Sequence, residues 1–157
     1  MLVSLITLFI KHKFPDVKNI STEELTKLDQ SKTLLVDARA EHEYEVSCIP
    51  GAVHLQFPTN SETVKTFLSD HLDSNTENIV CYCSLGYRSS VVARLIGQDL
   101  LDQIHIRIYN LEGSIFKWVN ENREVMRRKC DEKVNYAHPF NYLWGTLGLK
   151  LSKWRWE

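Results

Sequence analysis

Short apolar runs alternate along this chain with segments whose apolar residues recur at helical spacing, and this alternation restricts the fold more than any other feature. Leu34-Leu35-Val36 is a buried-strand run ending at Asp37, and Ala52 to Leu55 resumes as a strand after the turn Ile49-Pro50-Gly51. Ile79 to Tyr82 and His105 to Tyr109 are two further runs. Between them, Ser21 with Glu24 has the pattern of a capping box opening a short helix. Glu41 to Val46 suits a helical turn. Glu62 to Leu72 places Val64, Phe67, Leu68 and Leu72 on one stripe, Ser89 to Leu101 turns Val91, Val92, Leu95, Ile96 and Leu100 inward, and Gly113 to Asn122 closes the series with Trp118 on its inward face. Strands that alternate with helices predict a parallel sheet covered on both faces. In such sheets ligands bind beyond the carboxyl ends of the strands.

The length of 157 residues fits one domain with a sizeable core, and a net charge of -1 gives no basic surface for nucleic acid and no acidic tail. Four cysteines, Cys48, Cys81, Cys83 and Cys130, are too few and too scattered for a disulfide scaffold, and none shows the C-x2-C spacing of a zinc site. Free thiols in a reducing, cytoplasmic setting and no bound metal are expected.

Both ends of the chain stand apart. Residues 1–10, MLVSLITLFI, are too short to span a membrane. They carry their basic residues (Lys11, His12, Lys13) after the apolar run rather than before it, unlike a secretory signal. A helix docked on the domain is expected over residues 1–16. After the basic run Arg127-Arg128-Lys129, residues 127–157 are too aromatic for a disordered tail, with Tyr136, Phe140, Tyr142, Trp144, Trp154 and Trp156. Docking onto the domain is expected there as well. A homodimer contact is the alternative for both ends, and Trp beside Lys and Arg also suits a bilayer surface, although membrane contact is not the expectation.

The segment from Ile79 to Ser90 concentrates the chemistry. A strand ends, a loop Cys83-Ser84-Leu85-Gly86-Tyr87-Arg88 follows, and a helix is predicted from about Ser89. A cysteine placed there faces loop N–H groups and the positive end of a helix dipole, which lowers a thiol pKa and supplies thiolate near neutral pH. Arg88 adds a permanent positive charge suited to an oxyanion, and Gly86 permits a bend that other residues resist. Cysteine phosphatases commonly separate their Cys and Arg by five residues. Here four intervene, and the smaller ring suits one sulfur atom better than a tetrahedral phosphate.

With its flanks, this loop resembles the rhodanese family. The family's Asp-x-Arg, three residues, Glu-aromatic, then Gly-His-Ile-Pro-Gly-Ala pattern is matched by Asp37-Ala38-Arg39, Glu43-Tyr44 and Ser47-Cys48-Ile49-Pro50-Gly51-Ala52. The Leu-x-Gly-Gly-x-x-x-Trp ending is matched from Leu111 to Trp118, with Ser114 in place of the second Gly. The resemblance covers Val17 to Val125. It implies an α/β fold, a central parallel sheet of about five strands with helices on both faces, occupying residues 17–126 between the two extensions.

The resemblance further implies a sulfurtransferase, with Cys83 as the nucleophile that carries sulfur as a persulfide and Ser84, Leu85, Gly86, Tyr87, Arg88 and Ser89 holding the substrate. The donor would be a small sulfur-containing anion such as thiosulfate, the acceptor cyanide or a thiol, including a protein thiol, and no cofactor is implied. A sulfur carrier or interaction module of the same fold is the alternative. Arg39 is placed at the edge of the site, although an ion pair with Asp37 is its more economical reading. Cys48 and Cys81 read as packing residues, and His54 as a structural histidine.

Overall fold

The computed structural model describes residues 2–100, 105–128 and 131–157. In chain order the elements are α1 (Leu2–Lys13), β1 (Asn19–Ile20), α2 (Thr22–Lys27), β2 (Thr33–Asp37), α3 (Glu41–Val46), β3 (Val53–His54), α4 (Ser61–His71), β4 (Asn78–Tyr82), α5 (Tyr87–Asp99), β5 (Arg107–Leu111), α6 (Ser114–Asn120), β6 (Val125–Arg127), β7 (Glu132–Val134) and α7 (Tyr142–Gly148). β1 to β5 form one sheet in the order β1-β5-β4-β2-β3, with every pairing parallel. β6 and β7 make a separate antiparallel hairpin.

Two apolar cores lie on opposite faces of this sheet, and strand alternation explains which residues enter which. Leu34, Val36, Ile79 and Cys81 point to one face, where Val64 and Phe67 of α4, Val92 and Ile96 of α5 and Ile10 of α1 meet them. Leu35, Val80 and Tyr82 point to the other, against Leu25 of α2, Ile115, Phe116 and Val119 of α6, and Leu149 beyond α7. The central strand β4 is buried at every position. That explains its unbroken apolar run, since a strand covered on both faces has no reason to alternate with polar residues.

Two boundaries differ from the sequence expectation, each for a local reason. α5 begins at Tyr87, because Gly86 takes φ +115 at its N-cap and turns the chain into the helix two residues early. Arg88 therefore belongs to the first helical turn. The far limit expected for this helix, Leu101, lies outside the described residues. β5 runs on to Leu111, because Asn110 and Leu111 pair with Asn19 and Ile20 of β1, an edge strand too short to show a pattern. The hairpin of β6 and β7 is fastened to the domain through Cys48, whose N–H and C=O exchange hydrogen bonds with Met126.

Both extensions pack on the domain. α1 buries Ile10 and, just beyond its end, Phe14, while Leu5, Leu8 and Phe9 stay more than half exposed. Asn141 caps α7, accepting from the Trp144 N–H at 2.9 Å. Gly148 lets this helix close on α6, since a Cβ there would sit 2.4 Å from the Phe116 ring. Among the described residues no helix is long and apolar enough to cross a membrane.

Candidate active site

The site forms where β4 ends and α5 begins, at the carboxyl edge of the sheet. Cys83 follows β4 directly and is 2% exposed. The chain then loops through Ser84 and Leu85 to Gly86, whose N–H points back at the Cys83 sulfur at 3.1 Å. The loop is held from behind by the first turn of α6. Ile115 N–H donates to the Cys83 carbonyl at 3.1 Å and Phe116 N–H to the Ser84 carbonyl at 3.2 Å, while the Ser114 hydroxyl accepts from the Cys83 N–H at 3.2 Å. With its carbonyls drawn away toward α6, the loop presents N–H groups to the sulfur.

Burial pushes the Cys83 thiol pKa up, but the Arg88 charge and hydrogen bonds from Ser89 and Gly86 outweigh it and leave the pKa below its ordinary value. The other two described cysteines behave oppositely. Burial holds the Cys81 thiol far above its ordinary value and raises Cys48 to about 11. Neither thiol is activated as Cys83 is, and both are buried.

The loop residues divide by environment. Ser89 is fully buried, its hydroxyl 2.7 Å from Asn110 Oδ1, and Asn110 in turn donates to Asn19 at 2.9 Å. Tyr87 is 42% exposed and meets Phe14 edge to face. Arg88 is not the free cation that the spacing suggests. Its guanidinium forks onto both Glu43 carboxylate oxygens at 2.6 and 2.8 Å, and it also donates to the Ser84 hydroxyl at 2.8 Å. Glu43 is fully buried, and Ser84 donates to it in turn at 3.1 Å. Burial raises the Glu43 carboxyl, but Arg88 and then Arg39 overcome that and hold it at about 2. In the sequence Glu43 stands only as part of the Glu43-Tyr44 motif, with no role of its own. The signal available was its place at the third position of α3, where its carboxylate accepts from the Ala40 N–H and so faces inward.

Arg39 is corrected from the edge of the substrate site to the interior. It is 0% exposed, pairs bidentately with Asp37 at 2.7 to 3.2 Å, and donates to the Ser47 carbonyl. It does not line the cavity beside Cys83. His54 Nε2 lies 2.8 Å from the Arg39 carbonyl and completes this brace.

That cavity measures 460 Å³ and is lined by Cys83, Ser84, Leu85, Tyr87 and Arg88 from the loop, with α1 on one side and Phe140 and Trp144 on the other. Phe140 holds a φ of +66, costly for a residue with a side chain, and its N–H donates to His138 Nδ1 at 3.1 Å. The Arg88 guanidinium lies 4.7 Å from the Phe140 ring centroid. Neither Phe140 nor Trp144 was singled out as a site residue, because nothing local marks an aromatic tail as an active-site wall. Among the described residues no three metal-ligating side chains gather.

The family model described as a rhodanese-like domain matches residues 21–121. The chain belongs to the rhodanese-like domain family. A tRNA uridine(34) hydroxylase of Photorhabdus laumondii is 30% identical over 97 residues, which are 62% of this chain and 26% of that protein. The rhodanese-like chain thus spans about a quarter of that relative. Thiosulfate sulfurtransferase of Pseudomonas aeruginosa superposes with a TM-score of 0.57 at 20% identity, over 79% of this chain and 22% of that one. Saccharomyces cerevisiae Ygr203w, described as a homolog of single-domain rhodanese and the Cdc25 phosphatase catalytic domain, gives 0.56 at 19% identity, over 67% and 81%. At these identities the two structural likenesses establish the fold.

Proposed function

We propose that the chain is a sulfurtransferase that moves sulfane sulfur from thiosulfate or a related donor to a thiophilic acceptor through a persulfide on Cys83. The observation that carries this reading is the loop's treatment of one sulfur atom: Cys83 is buried, yet its thiol is lowered by Arg88, Ser89 and Gly86. In the first half-reaction the thiolate attacks the outer sulfur of the donor. A new S–S bond forms on Cys83, the donor's S–S bond breaks, and its electron pair leaves on sulfite. In the second, the acceptor attacks the outer persulfide sulfur and the electron pair returns to Cys83 Sγ.

Gly86 and Ser89 stabilise the anionic sulfur in both resting states, Ser84, Leu85 and Tyr87 shape the approach, and Arg88 keeps the sulfur in its anionic form. Thiolate chemistry of this kind needs a reducing compartment, and the cytoplasm is our reading of where it runs. Intact mass after incubation with thiosulfate tests the proposal. The wild type should gain one sulfur atom (about 32 Da) that cyanide removes, and Cys83→Ser should gain none. A Cys83→Ser protein that keeps full thiosulfate:cyanide activity would refute it.

A further inference from the structure

The cavity over Cys83 is larger and more apolar than a small anionic donor needs. Its walls are Leu5, Ile6 and Phe9 of α1, Leu85 of the loop, and Phe140 and Trp144 beside and within α7. Its polar side chains besides Cys83, chiefly Ser84 and Arg88, are both bonded to the buried Glu43 carboxylate. The one guanidinium at the site is therefore matched by one carboxylate, so an incoming anion meets a neutral pair rather than a free cation. The volume of 460 Å³ far exceeds what a few-atom anion fills and lies within the roughly 300–1,000 Å³ of pockets that enclose drug-sized molecules. Phe140 is held in its strained conformation by the His138 hydrogen bond, so that wall is built into the backbone.

We propose that the sulfur acceptor of this site is a low-molecular-weight thiol with a neutral, apolar body, which seats against Phe9, Leu85, Phe140 and Trp144 with its sulfur at Cys83. This rests on the persulfide reading above and names its acceptor class. The thiol enters the cavity neutral and passes its S–H proton to the outer sulfur of the anionic Cys83 persulfide. Its sulfur attacks that outer sulfur, the acceptor gains an S–SH group, the Cys83 S–S bond breaks, and its electron pair stays on Cys83 Sγ facing the Gly86 N–H.

The test loads Cys83 with sulfur, confirms the gain by mass and its removal by cyanide, strips the donor, and times discharge by straight-chain thiols from 1-propanethiol to 1-hexanethiol. Glutathione and 2-mercaptoethanesulfonate serve as hydrophilic comparators at equal concentration of neutral thiol. Thiol acidity is constant along the straight-chain series, so the slope reports burial. The second-order rate constant should rise about fourfold per methylene, or about 60-fold from propyl to hexyl, and hexanethiol should outrun both comparators. Phe9→Gln, at a position already 60% exposed and so harmless to folding, should flatten the slope, and Phe9→Leu should restore it. A series flat to within twofold, or discharge by glutathione faster than by hexanethiol, overturns the inference while leaving the persulfide standing. Absence of any persulfide overturns both.

Discussion

Glu43→Gln probes the buried pair that neutralises Arg88, and its effect should depend on pH in a calculable way. The Glu43 carboxyl is held at about 2 against an ordinary value of 4.5. At about 1.4 kcal/mol per tenfold change, the ionised form contributes roughly 3 kcal/mol to stability at neutral pH. Because the native pKa is depressed, this contribution is complete above 4.5 and fades as pH falls toward 2. Glutamine keeps the shape and hydrogen-bonding capacity of the protonated acid but carries no charge, so the variant reads out the ionised form alone.

Urea unfolding of the two proteins should differ by about 3 kcal/mol at pH 7 and by roughly 1.4 kcal/mol at pH 3, with other titrating groups cancelling in the difference. Arg88 is 14% exposed and can turn partly to solvent in the variant, so the neutral-pH figure is an upper value. A gap below about 1 kcal/mol at pH 7, or one as large at pH 3 as at pH 7, would refute the assignment of Glu43 as the buried counter-ion.

Other perturbations separate the sulfur-activating parts from the scaffold. Arg88→Met should raise the Cys83 thiol pKa and Glu43→Gln should lower it further, because the first removes a cation from the sulfur and the second removes its counter-charge; the midpoint of iodoacetamide alkylation against pH reads both. Arg39→Met leaves Asp37 buried and unpaired and should cost about 3–5 kcal/mol by urea unfolding. Gly148→Ala drives a methyl group into the Phe116 ring and should cost about 1–3 kcal/mol, read as a fall in the melting temperature.

What the sequence disclosed about this molecule was local. The apolar run of β4, the stripe on α5, the Ser21 capping box and the turn at Gly86 each follow from neighbouring residues, and the parallel sheet follows from their alternation. Cys83 was legible because strand end, glycine and helix start lie within a few residues. The counter-ion was not, because Glu43 and Arg88 are 45 positions apart and only packing of α3 against the α5 start joins them. Arg39 misled for the converse reason: position after a strand end suits both a site edge and an interior brace, and only burial separates them. The cavity walls were hidden most deeply, since Leu5 and Phe9 come from one end of the described chain and Phe140 and Trp144 from the other. No period or spacing in either segment encodes their meeting, which α1 and α7 accomplish by contact.

That meeting divides the labour of the site along the sequence. The atoms that ready the sulfur belong to an uninterrupted stretch of loop and helix, fixed by Gly86 and by α6 behind it. Much of the apolar wall beside it comes instead from α1 and from Phe140 and Trp144, which donate nothing to the thiolate. A substitution on the outer wall, at Leu5 or Trp144, can redraw what reaches Cys83 and leave its reactivity intact. On the acceptor reading proposed above, selectivity and chemistry are separately adjustable, and a lineage could acquire a new acceptor by drift at its helical margins.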